Sequence, residues 1–96
     1  LPARKAVVRS PIGLHARPAA AFVRAVTRTG FAVRISKAGR PAVDARSLLE
    51  VMTEDFDCGC EVELSIQADL VPAGSGPSDA DQALDGLCAL LDSQAG

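Results

Sequence analysis

Apolar and polar residues alternate most regularly from Glu61 to Gln67, where Val62, Leu64 and Ile66 would face a core and Glu61, Glu63, Ser65 and Gln67 would face solvent. A period of two with one wet face marks an antiparallel strand packed on one side. Phe31 to Lys37 repeats the pattern, with Phe31, Val33 and Ile35 inward and Ala32, Arg34 and Ser36 outward. Ala38-Gly39-Arg40 makes a short turn. Pro41 to Ala45 then returns as a brief strand, placed at an edge because Pro41 has no N–H for a ladder. Lys5 to Arg9 is the remaining strand. Three stretches read as helices. From Ala16 to Arg28, the residues Ala19, Phe22, Val23 and Val26 fall on one face of a 3.6-residue period. Pro18 suits the first turn of that helix and Gly30 stops it. Ser47-Leu48-Leu49-Glu50 opens a short helix as a capping box, in which each polar side chain satisfies an orphan N–H of the other residue. From Ser78, the residues Leu84, Leu87, Cys88 and Leu91 line a third helix, with Ser78 and Asp81 spaced as a cap pair and Gly86 weakening it by up to ~1 kcal/mol. Ala68 to Pro77, with two prolines and two glycines, reads as a loop. The predicted order is βαββαβα.

The loop Pro11-Ile12-Gly13 leads into Gly13-Leu14-His15-Ala16-Arg17-Pro18, which holds the one histidine of the chain. The first N–H groups of a helix have no partners within it and carry the positive end of its dipole, so the backbone of Ala16 and Arg17 offers donors to an anion on the His15 side chain. Arg17 adds a permanent cation with a forked donor. An unperturbed imidazole titrates near ~6.5, so at neutral pH it is largely an uncharged nucleophile. The chemistry this arrangement permits is reversible phosphorylation of the ring, against the plainer alternative that His15 fills a loop.

With those residues in hand, the segment closely resembles the active-site motif of the HPr family, the histidine phosphocarriers of the bacterial phosphoenolpyruvate-dependent sugar phosphotransferase system. The similarity continues at Ser47-Leu48-Leu49-Glu50-Val51-Met52, which looks like the family's second helix, and from Gly59 to Gln67, which looks like its last strand. The resemblance implies an α+β fold, an open-faced two-layer sandwich whose four-stranded antiparallel sheet runs 1-4-2-3 with the helices on one face. It also implies that His15 accepts phosphate through Nδ1 from phosphohistidine on an enzyme I-like donor and passes it to IIA-type acceptors in sugar uptake. Such a chain is a covalent relay rather than an enzyme, and it needs no cofactor and no bound metal.

Composition adds limits. At 96 residues and 48% hydrophobic, the chain makes one small domain with a two-layer core. No run approaches the ~18 apolar residues of a membrane span and no signal sequence opens the chain, so a soluble, cytoplasmic protein is expected. A first residue other than Met suggests a trimmed chain or a module of a longer polypeptide. The net charge of −2 conceals a polarity: every Lys and Arg lies at or before Arg46, and every acid except Asp44 lies after it. Phe22 and Phe31 are the only aromatics in the basic half, so base stacking has little to work with and nucleic acid is not an expected partner.

Two explanations of the polarity remain open. In the 1-4-2-3 order, Glu61 and Glu63 would sit between Lys5 or Arg9 and Arg34 as cross-strand ion pairs, each contributing roughly 0.2–1 kcal/mol. Alternatively the basic residues face partners. Arg17, Arg24 and Arg28 lie close together on a helical wheel, and Arg24 with Arg28 is a repulsive i,i+4 pair that an acidic partner would relieve. By resemblance, Leu48, Leu49 and Met52 supply the apolar part of that docking surface, although at least one of the leucines is expected to turn inward.

Ser47 matches a serine that a dedicated kinase phosphorylates in some bacteria. Capping alone accounts for it, and Glu50, Glu54, Asp55 and Asp57 would repel an added phosphate. Glu54-Asp55 departs from the hydrophobe and glycine that commonly end the family's second helix. That leaves room for a relay in a nitrogen-branch or dihydroxyacetone-kinase system; a regulatory paralogue signalling through Ser47 is a separate alternative. Three cysteines suit free thiols in a reducing compartment. Cys58-Gly59-Cys60 lacks the two-residue spacer of zinc and thioredoxin motifs, so both read as free thiols near a turn; a small thiol or metal-binding domain using Cys58 and Cys60 is the rival from another class.

Overall fold

Val62, Leu64 and Ile66 are buried on one face of the strand that the alternation predicts, while Glu61 and Glu63 on the other are exposed. The computed structural model describes residues 3–66 and 77–95. Within them the order is β1 (Ala3–Val7), α1 (Ala16–Thr29), β2 (Val33–Lys37), β3 (Val43–Asp44), α2 (Leu48–Thr53), β4 (Glu61–Ile66) and α3 (Pro77–Ser93). The strands form an open antiparallel sheet ordered β1-β4-β2-β3. Residues from the inner sheet face and from all three helices meet in one core, including Val8, Phe22, Val26, Val33, Ile35, Val51, Leu64, Leu84 and Leu91.

The α1 stripe forms as the period predicts, with Ala19, Phe22 and Val26 buried and Val23 packed against them. Gly30 ends the helix in the left-handed region at φ 76°, its N–H donating to the Thr27 carbonyl. Strand limits differ more. β1 lies two residues earlier than Lys5 to Arg9, because Val8 and Arg9 leave the regular ladder, although the Val8 N–H still reaches the Cys60 carbonyl at 3.0 Å. β2 begins at Val33, and Ala32, expected outward, is buried just ahead of the strand. β3 shortens to two residues at the sheet edge, with Pro41 ahead of it. Pro77 already belongs to α3, where a proline is tolerated in the first turn. Gln67, the loop from Ala68 to Gly76 and the Ser78 side chain of the expected cap pair lie outside the described residues.

The charge polarity is met differently from the cross-strand expectation. Lys5 does stand opposite Glu63, but Glu61 stands opposite Val7, and Arg34 opposite Ser65 and Asp44. The ion pairs of the basic N-terminal segment run instead to the acidic last helix: Arg4 to Asp81 at 3.2 Å and Asp85 at 3.1 Å, and Arg9 to Asp92 at 3.4 Å. Arg4 lies on the helix side of the sheet, in register with Leu64. All these pairs are exposed and together tie β1 to α3 only weakly.

Half of the predicted capping box forms. The Ser47 hydroxyl accepts the Glu50 N–H at 3.3 Å, but the Glu50 carboxylate reaches the Asp44 N–H, at 3.4 Å, and not that of Ser47. The Ser47 N–H is already taken by the Asp44 carbonyl at 3.1 Å. Arg46 hydrogen-bonds the Asp44 carboxylate and holds it below the usual carboxylate range. Neither leucine of α2 turns inward. Val51 is the fully buried residue there, and Leu48, Leu49 and Met52 are exposed. Ser47→Ala should therefore lower stability by about 1 kcal/mol, read as a shift of the urea midpoint with an unchanged slope; a parent-like midpoint would show that the cap contributes nothing.

Candidate functional site

Three constraints set the approach of the chain to α1. The Gly13 N–H donates to the Ser10 carbonyl at 2.9 Å, closing the turn, and the Leu14 N–H donates to the Phe56 carbonyl at 2.8 Å. Leu14 and Phe56 are both fully buried. Gly13 itself sits at φ +74°, and a Cβ there would lie 2.5 Å from the Phe56 oxygen. The His15 loop is thus bolted to the segment after α2 through backbone contacts that leave no room for a side chain.

His15 is the residue before the first turn of α1, with φ −128° and ψ 158°, and its side chain makes no capping bond. Ala16 follows at φ 51°, a left-handed conformation costing on the order of 1–3 kcal/mol for a residue with a Cβ. The His15 carbonyl accepts the Ala19 N–H at 3.5 Å. The amides of Ala16 and Arg17 precede the first residue that can bond back within the helix, and Pro18 has no N–H. Arg17, Arg24 and Arg28 are all exposed. Close to the motif in sequence, Ile12 is also exposed, and α2 packs beside α1 with Leu48, Leu49 and Met52 on its open side.

The structure adds a neighbour that spacing along the chain did not reveal. His15 Nε2 lies 3.4 Å from Asp55 Oδ1, with the His15 side chain 32% exposed and that of Asp55 72%. Asp55 adopts φ 58° just after α2, and its carbonyl accepts the Lys37 ammonium at 2.8 Å. The half-buried Glu54 before it pairs with Arg40 at 2.9 Å. Asp57 joins the same cluster: one ligand atom each from His15, Asp55 and Asp57 lie within 4.8 Å of one another. These three could hold a cation, a possibility the sequence did not suggest. Cys58-Gly59-Cys60 follows Asp57 directly, the Cys60 N–H donating to the Asp57 carbonyl at 3.1 Å, but neither thiol belongs to that cluster. Cys58 is exposed, while Cys60 packs against the core, where burial pushes its thiol pKa up.

A family model described as the HPr component phosphorylation site of the phosphotransferase system (PTS) matches residues 2–93. The chain belongs to the HPr family. The phosphocarrier protein HPr of Streptomyces coelicolor is 47% identical over 57 residues, which are 59% of this chain and 61% of that relative's length. Among solved structures, an HPr of Bacillus anthracis is similar with a TM-score of 0.76 and 30% identity, covering 93% of this chain and 94% of that one. The HPr-C-His structure from Thermoanaerobacter tengcongensis gives a TM-score of 0.75 at 27% identity, covering 100% and 97%. The sheet order and three helices of this chain match those HPr structures, and the family implies a phosphotransfer role within the PTS. Among the described residues, no helix is long and apolar enough to cross a membrane.

Proposed function

We propose that this chain carries a phosphoryl group on His15, taking it from phosphohistidine on an enzyme I-like donor charged by phosphoenolpyruvate and giving it to a IIA-type acceptor. The observation that supports this reading best is the lone histidine at the start of α1, in a chain that matches the HPr family over residues 2–93. In the transfer, the His15 Nδ1 lone pair forms a bond to phosphorus in line with the breaking P–N bond of the donor, whose imidazole leaves neutral. The amides of Ala16 and Arg17, with the Arg17 guanidinium, stabilise charge on the transferring group. Arg24, Arg28, Leu48, Leu49 and Met52 form the docking surface, an apolar patch beside a cationic face.

The acidic end of α2 supports a second reading of the acceptor. Asp55 stands exposed where the family commonly has glycine, which favours an acceptor with a cation opposite it, as in a nitrogen-branch or dihydroxyacetone-kinase relay. A regulatory role through a serine kinase has less support, since the Ser47 hydroxyl is engaged as a helix cap. Incubation with phosphoenolpyruvate and an enzyme I, followed by peptide mapping, tests the reading. Acid-labile phosphate on the His15 peptide is the expected result, and an unlabelled chain, or label elsewhere, overturns it.

A further inference from the structure

We infer that Asp55 is a positioning residue for the transfer: its carboxylate accepts the Nε2–H of His15, leaves the Nδ1 lone pair free to attack, and balances the charge that the ring acquires. The inference rests on the phosphocarrier reading of His15 and deepens it. The Nε2 to Oδ1 separation of 3.4 Å is slightly long for a formed hydrogen bond, as such contacts often are before the reacting group arrives. When one ring nitrogen of a histidine donates to a carboxylate, the other is fixed as the acceptor or nucleophile.

Charge accounting gives the carboxylate a further task. A neutral imidazole protonated on Nε2 that bonds phosphorus through Nδ1 becomes a cationic ring, and no proton has to leave. The donor ring undergoes the reverse change. A carboxylate beside Nε2 meets the positive charge as it forms, which favours the phosphorylated state of this chain over that of its donor.

The fold holds Asp55 from both sides. Its own carbonyl is bound by Lys37, Glu54 before it is paired with Arg40, and the Phe56 carbonyl after it takes the Leu14 N–H. The two residues flanking Asp55 are therefore anchored independently of His15. The backbone at φ 58° would suit glycine better than aspartate, so this residue is not the choice that eases the turn. Its side chain is the feature a glycine lacks.

The test compares the parent with Asp55→Asn, Asp55→Gly and Glu63→Gln in equilibrium with phosphorylated enzyme I, measuring the fraction of each carrying phosphohistidine. Both Asp55 variants keep a residue suited to the left-handed region and should melt at or above the parent temperature. They should nevertheless lower the phosphoryl partition constant by about three- to tenfold, a modest factor because the carboxylate is exposed to solvent. Glu63→Gln removes the same charge from the outer face of the sheet, opposite Lys5 and Ser36, without touching the His15 cluster, and should cost less than about twofold. In nitrogen-15 correlation spectra, the Nε2 resonance of His15 should move in the Asp55 variants and stay in place in Glu63→Gln. Parent-like partition in both Asp55 variants, or an equal loss in Glu63→Gln, overturns the inference alone. A parent that takes no label at all overturns the phosphocarrier reading and this inference with it.

Discussion

Alanine at position 15 should abolish phosphoenolpyruvate-dependent labelling while changing stability by no more than about 0.5 kcal/mol. The ring is partly exposed, makes no capping bond and is flanked by the exposed carboxylates of Asp55 and Asp57, so the fold loses little with it. Arg17→Ala is the informative companion. Arg17 is exposed on the first turn of α1, and its removal should leave the melting temperature near that of the parent. The rate of transfer from phosphorylated enzyme I should nonetheless fall by roughly 10²–10³, as expected when one charge-stabilising donor is lost from a transition state. Rapid-quench kinetics beside thermal melts separate the two properties. If both variants melt well below the parent, the residues are structural; if Arg17→Ala transfers at the parent rate, the guanidinium does not stabilise the moving phosphoryl group.

The start of α1 was readable because its signals are local: a proline in the first turn, alanines after it, an apolar stripe and a stopping glycine. β4 was readable for the same reason, since strict alternation fixes which face is buried. What escaped the sequence depended on partners distant along the chain. Arg4 gives no hint of facing the helices until Asp81 and Asp85 are seen across from it. The capping-box spacing directs Glu50 to Ser47, but the Asp44 carbonyl takes the Ser47 N–H, and the carboxylate reaches the Asp44 N–H instead. Phe56 is fully buried in a short connection with no periodic context to announce it. Asp55 could be seen as an unusual acid after α2, but only the folded chain brings it to within 3.4 Å of His15.

Gly13→Ala should destabilise the fold strongly although it adds a single methyl group. The added Cβ would fall 2.5 Å from the Phe56 oxygen, 3.0 Å from the Asp57 Cα and 3.3 Å from the Cys58 nitrogen. All three are backbone atoms, so no flexible side chain can swing aside. Relief requires the His15 loop to lift from the segment after α2, which breaks the Leu14 to Phe56 hydrogen bond and uncovers two fully buried side chains. The left-handed φ of +74° adds strain of its own, on the order of 1–2 kcal/mol. Together these should destabilise the protein by about 3 kcal/mol or more, a fall of at least roughly 12 °C in melting temperature for a chain of this size. Gly39→Ala separates the two contributions, because Gly39 has φ +80° but nothing within 4 Å of the added atom. It should cost only the conformational part, about 1 kcal/mol. Equal losses in the two variants would mean that backbone strain alone makes Gly13 necessary; the larger loss at Gly13 would show that close contact with the Phe56 carbonyl holds the histidine loop where it is.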